Sequence, residues 1–144
     1  MSLEQIEQLK AQFVAAARRA DRLGFDLIEL HGAHGYLLHQ FLSPLANQRT
    51  DQYGGCLQNR MRLLLEIFSE VRAVFPANKA LGVRISASDW VEGGWNEQQS
   101  VELTSALKEL GCDLHSYFQR RPIAAAKNSG GAELSGAVCR NHQT

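Results

Sequence analysis

A surplus of charge is the first thing missing from this 144-residue sequence. Its 15 Lys and Arg balance 15 Asp and Glu, so the formal net charge is zero. A balanced chain projects no strong field, which argues against nucleic-acid and membrane-surface partners. Cysteine is scarce: Cys56, Cys112 and Cys139 are far apart, odd in number and contain no CxxC. That fits a reduced chain better than a disulfide scaffold. No apolar run approaches the roughly 20 residues of a membrane helix. The start, Met1-Ser2-Leu3-Glu4, has neither a basic region nor an apolar signal core, so a cytoplasmic location is expected. HExxH, GxGxxG and phosphate-loop spacings are absent too.

What is present is a core-forming composition, 44% hydrophobic, with a clear change of period along the chain. Residues 3–23 repeat apolar side chains at helical spacing (Ile6, Leu9, Phe13, Ala16, Ala17, Ala20), with Ser2 as N-cap and Gly24 as stop. Residues 25–30 read as a short buried strand. A long loop with a little helix follows over 36–58, then an amphipathic helix over 59–75 closed by Pro76. Residues 80–86 read as a second strand and 97–110 as a third long helix. Cys112-Asp113-Leu114 opens a third strand. The alternation α-β-α-β-α-β predicts an α/β fold with a parallel sheet covered by helices. Sites in such folds lie beyond the C-terminal strand ends.

The chemistry collects there. His31-Gly32-Ala33-His34-Gly35-Tyr36 places two imidazoles and a phenol within six residues of a strand end. His31 and His34 can donate to one substrate oxygen, ligate a metal, or be structural. Tyr36 is a proton donor or a core aromatic. Arg84, among apolar neighbours in the second strand, needs an anionic partner: a structural carboxylate, a bound anion or an electron-rich cofactor. Glu29 falls on the other side of its strand from Leu30 and is not expected to serve as a metal ligand. The Arg49-Thr50-Asp51-Gln52-Tyr53-Gly54-Gly55 loop reads most simply as locked by Arg and Asp hydrogen bonds. Trp90 and Trp95, flanking Gly93-Gly94, either line an entrance or, the favoured reading, cap the end of the sheet.

In order, His31-Gly-Ala-His34-Gly-Tyr36-Leu-Leu-His-Gln-Phe-Leu-Ser-Pro, Asn-Gln-Arg49-Thr-Asp51-Gln-Tyr53-Gly54-Gly55, Asn59-Arg60 and Val-Arg84-Ile-Ser resemble the old yellow enzyme family. These are FMN-dependent NAD(P)H ene-reductases on a (β/α)8 barrel. The second His resembles the bacterial xenobiotic-reductase branch. The resemblance covers residues 1–113. It implies FMN as cofactor, NADH or NADPH as reductant and a small activated alkene as substrate, with homo-oligomers among full-length relatives. It also implies a substrate site of His31, Gly32, Ala33, His34 and Tyr36. The two histidines would polarise a carbonyl or nitro oxygen while hydride reaches the β-carbon. Tyr36 would supply the α-carbon proton, and Arg84 would sit beside the flavin N1 and O2 edge. No metal is implied, and a metal-dependent hydrolase is the least favoured reading. Cys56 and Gln58 stand where the family usually has Ser and Glu.

A (β/α)8 barrel needs about 250 residues. The match supplies the third helix, strands four and five with their helices, and the start of strand six. This partial TIM barrel is expected to lack half of the flavin site and to be inactive alone. The alternative is a non-catalytic module that self-associates through its open sheet edges. Residues 114–144 read as a second segment. They carry four basic residues against one acidic, whereas residues 1–113 carry 11 against 14. Codons can be written for Phe118 to Gln143 that, displaced by one base, read Phe-Ser-Gly-Gly-Leu-Ser-Pro-Gln-Gln-Lys-Ile-Pro-Val-Gly-Pro-Asn-Tyr-Gln-Val-Pro-Phe-Ala-Glu-Thr-Ile, which resembles the family's own continuation. A frame change between Leu114 and Gln119 is therefore expected, leaving a non-native, disordered tail. Sequencing the DNA across codons 112–120 should reveal one displaced base. The same tail in frame in close relatives would refute this.

Overall fold

A computed structural model describes residues 1–118. Four helices and three strands alternate as α1 (Leu3–Arg22), β1 (Leu27–Gly32), α2 (Leu37–Leu42), α3 (Leu57–Val74), β2 (Ala80–Ser86), α4 (Glu97–Glu109) and β3 (Leu114–Phe118). The strands are parallel and lie in the order β1-β2-β3. Spatial order follows chain order, so successive right-handed crossovers put α3 and α4 on one face of the sheet. That is the winding of a barrel, not of a doubly wound sheet, whose strand order reverses.

The helix positions follow from local chemistry. Ser2 caps α1 in a full capping box: its Oγ accepts from the Gln5 N–H, and the Gln5 side chain accepts from the Ser2 N–H. Period-two alternation divides the sheet. Leu30 of β1 and Leu81, Val83 and Ile85 of β2 pack under Leu63, Leu64, Ile67, Phe68 and Val71 of α3 in one continuous core. Glu29, Arg84 and Ser116 occupy the opposite face.

Both ends of β1 differ from the sequence expectation, whereas the helix bounds agree to within two residues. β1 starts at Leu27 and not at residue 25, because the Phe25 N–H still donates to the Ala20 carbonyl in the end of α1. β1 also runs on through Gly32, since His31 and Gly32 keep their pairing with Arg84 and Ile85. His31 is thus the penultimate strand residue. β3 continues to Phe118 through a stretch without strand period, because ladder pairing with β2 uses main-chain groups. The rest of the proposed tail, residues 119–144, lies outside the described residues.

The connection before α3 is locked as expected. The Arg49 guanidinium grips the Asp51 carboxylate, with Nε to Oδ1 at 3.0 Å. Asp51 Oδ1 also accepts from the Tyr53 N–H at 3.1 Å. A Cβ on Gly54 would sit 2.1 Å from the Arg49 carbonyl oxygen, so only glycine fits. Below this loop Lys10 is 8% exposed yet faces Glu7, Glu66 and Glu70 at 2.8, 3.2 and 3.4 Å. Burial works against its charge, but hydrogen bonds to Glu7 and Glu66 hold its pKa above the ordinary lysine value.

Ile67, fully buried at the centre of α3, tests the core. Ile67→Ala should lower unfolding free energy by about 2–5 kcal/mol, read as a shifted urea midpoint at unchanged slope.

Candidate active site

The C-terminal ends of β1 and β2 build the site. In the ladder His31 stands opposite Arg84, and Arg84 opposite Ser116. Beyond β1 the chain reverses sharply. His34 (φ 62°) and Gly35 (φ 74°) are both left-handed, a conformation easy for glycine and strained for histidine. Its amides are tied. The His34 N–H donates to Ser86 Oγ (3.0 Å), and the Gly35 N–H to His39 Nδ1 (3.0 Å). The Tyr36 N–H donates to the Ala33 carbonyl (3.2 Å), and Gln40 Nε2 to the Gly35 carbonyl (2.8 Å). Tyr36 then opens α2 as its N-cap residue.

The three predicted rings come together. The His31 and His34 centroids are 4.9 Å apart, and those of His31 and Tyr36 5.6 Å. Tyr36 is 63% exposed, which excludes the core-aromatic reading. Gly32 and Ala33 are buried beneath the turn. Desolvation first, then the nearby His34 and Arg84, lower the His31 pKa against the pull of Glu29. His31 is therefore neutral near pH 7, one nitrogen free to donate and the other to accept. Beside the rings a cleft of about 480 Å³ is lined by His34, Tyr36, His39, Ser86, Asp89 and Trp90. Among the described residues no group of three or more His, Cys, Asp or Glu could hold a metal ion.

Arg84 has a carboxylate partner. Its Nε donates to Glu29 Oε1 at 2.7 Å and to Ser116 Oγ at 3.2 Å, and Ser116 Oγ donates to Glu29 Oε2 at 2.5 Å. Glu29, set aside as a ligand in the sequence, is thus the anion that Arg84 requires. The tie uses only Nε, so the two terminal nitrogens of the half-exposed guanidinium stay available for a ligand.

The tryptophans part ways. Trp95 is 1% exposed, its Nε1 donating to the Ser86 carbonyl and to Ser100 Oγ, and so caps the sheet end. Trp90, with φ 58°, lines the cleft.

Sequence reasoning missed His39 and Asp89. Asp89 Oδ1 lies 2.6 Å from His39 Nε2, and Asp89 Oδ2 accepts from Ser43 Oγ (2.6 Å) and the Trp95 N–H (2.8 Å). A signal existed: a histidine in the apolar run Leu37–Leu42 has to find a polar partner. Burial pushes the Asp89 pKa up, but the hydrogen bonds from His39, Ser43 and Trp95 prevail and hold it below the usual range.

Fold and geometry together define a segment of a parallel α/β barrel that presents two histidines, a tyrosine and an arginine at its strand ends. The model of the NADH:flavin oxidoreductase / NADH oxidase family matches residues 1–133, and the chain belongs to that family. It is 50% identical over 114 residues to an NADPH dehydrogenase of Halalkalibacterium halodurans, covering 79% of this chain and 33% of that protein. It is 50% identical over 121 residues to an NADH:flavin oxidoreductase of Gibberella zeae, covering 77% and 29%. Among solved structures, the old yellow enzyme homologue from Zymomonas mobilis aligns with TM-score 0.74 at 31% identity, over 81% of this chain and 34% of that one. The chain spans about a third of the length of the curated relatives it matches.

A depressed carboxylate stabilises the fold above its unfolded pKa and loses that effect as pH falls through its folded pKa. Asp89→Asn should therefore cost about 1.5–3 kcal/mol at pH 7. Urea titrations should show the gap from the unaltered chain closing below about pH 4.

Proposed function

We propose that these residues are the substrate side of an FMN-dependent NAD(P)H oxidoreductase that reduces activated alkenes, enones or nitroalkenes. The observation that carries this reading is the His31–His34–Tyr36 cluster at the strand ends, 4.9 and 5.6 Å between rings, with His31 held neutral. Two imidazoles donating to one carbonyl or nitro oxygen strengthen their hydrogen bonds as negative charge builds there. That lowers the barrier to attack at the β-carbon. Tyr36, with its hydroxyl on the exposed side of the turn, then gives its proton to the α-carbon, and the C=C bond becomes a CH–CH bond.

The donor set suits FMN on one edge. The free terminal nitrogens of Arg84 match the electron-rich N1 and O2 atoms, and Glu29 keeps the guanidinium fork oriented. When bound, the flavin would carry hydride from the nicotinamide to the β-carbon. The described residues offer no phosphate-binding loop beside it. We therefore infer that the chain alone does not retain FMN, and that the flavin phosphate is held by barrel strands other than these three. Small-molecule specificity would then depend on Trp90 and Tyr36 at the cleft. A homo-oligomeric assembly and a cytoplasmic location fit the same reading.

A chimera tests this. Residues 1–113 would replace the matching third of the Halalkalibacterium halodurans NADPH dehydrogenase. The product should be yellow and reduce cyclohexenone with NADPH. Tyr36→Phe in that chimera should slow enone turnover about 10²- to 10⁴-fold while flavin reduction by NADPH is unchanged. A flavin-loaded chimera inert toward enones would sink the reading. Recovery of yellow, FMN-loaded protein from the 144-residue chain alone would refute the retention inference.

A further inference from the structure

Resting on that reading of the site, we propose that His39 is a positioning residue. As the Nε2–H tautomer it holds the His34–Gly35–Tyr36 turn through the Gly35 amide, and Asp89 fixes that tautomer.

The hydrogen-bond directions leave no other assignment. A backbone N–H only donates, so the Gly35 N–H at 3.0 Å requires a lone pair on His39 Nδ1. The ring proton is then on Nε2, facing Asp89 Oδ1 at 2.6 Å. Asp89 is an acceptor on every side: Ser43 Oγ and the Trp95 N–H donate to its other oxygen. Arg60 of α3 lies behind it: burial lowers the Arg60 pKa, and the Asp89 charge works against that shift. The charged or titratable groups facing His39 are thus Asp89 from the loop after β2, Arg60 behind it, and His34 and Tyr36 on the turn itself.

Both His39 nitrogens are engaged and the side chain is buried. It has no nitrogen left for substrate, and its effect passes through Gly35. The turn needs such a hold. His34 sits at φ 62°, where a residue with a Cβ is strained, and the His34 and Gly35 amides are each tied to another element. Without the Gly35 tie the strained residue can relax, and His34 and Tyr36 lose their common orientation toward His31.

Two substitutions separate the bonds. His39→Asn can place a carbonyl oxygen near the Nδ1 position but cannot reach Asp89. His39→Gln can place an amide donor near the Nε2 position but leaves Gly35 without an acceptor. The readouts, on the 15N-labelled 144-residue chain, are the His39 ring nitrogen shifts, Gly35 amide exchange and the nuclear Overhauser contact between the His31 and Tyr36 rings. The unaltered chain should show a protonated Nε2 and a bare Nδ1. His39→Asn should keep the ring contact and hold Gly35 exchange within about twofold, whereas His39→Gln should speed exchange about fivefold to tenfold and lose the contact. A general structural role would affect both variants alike, and that result overturns the proposal. So does a greater effect of Asn than of Gln, no effect of either, or a proton on Nδ1. If neither variant folds, the tautomer of the unaltered chain decides. None of these readouts needs flavin or alkene, so failure of the alkene-reductase reading shows in the chimera and failure of this proposal shows here.

Discussion

His31 and Arg84 face each other across a parallel ladder, two residues beyond Glu29. Most of the site follows from that register. The ladder brings an imidazole and a guanidinium side by side, and two neighbouring cations would repel. Glu29 and Ser116 settle the guanidinium, while the imidazole stays neutral and keeps its hydrogen-bonding capacity. A slip of one residue would turn His31 and Arg84 into the core and Leu30 and Val83 out of it. The apolar packing beneath the sheet is therefore also what sets the positions of the polar groups above it.

The turn after β1 carries a second constraint. To return His34 and Tyr36 toward His31, two consecutive residues adopt left-handed backbone. The conformation is not favoured locally, so other elements hold it: Ser86 at the end of β2, and His39 in α2 with Asp89 behind it. The substrate side of the site is thus a short strained segment clamped by two strand ends and one helix. Strain supported from outside suits a site whose donors must already be aligned when a ligand arrives.

Much of this was legible in the sequence, for physical reasons. Helix spacing and capping are local, so Ser2 with Gln5 and the apolar stripe of α3 could be read directly. The order of helices and strands implied the parallel winding. The motif from His31 to Tyr36 and the Arg49–Asp51 lock carried a family resemblance that the comparisons bear out. What escaped was long-range. His39 and Asp89 are 50 residues apart, and no periodicity links them. Glu29 was judged by the face it avoids, and only the register shows that it shares a face with Arg84. The start of β1 was misplaced because Phe25 is apolar enough for a strand yet is still hydrogen-bonded to α1.

Arg60 gives the connection between α2 and α3 a property that its length hides. The segment between Leu42 and Leu57 is long and irregular. Yet the buried guanidinium bonds the Leu42 carbonyl at one end and the Gly55 carbonyl at the other. It acts as a rivet across the base of the loop. The ends are held together, and these bonds offset part of the entropic cost of closing so long a segment.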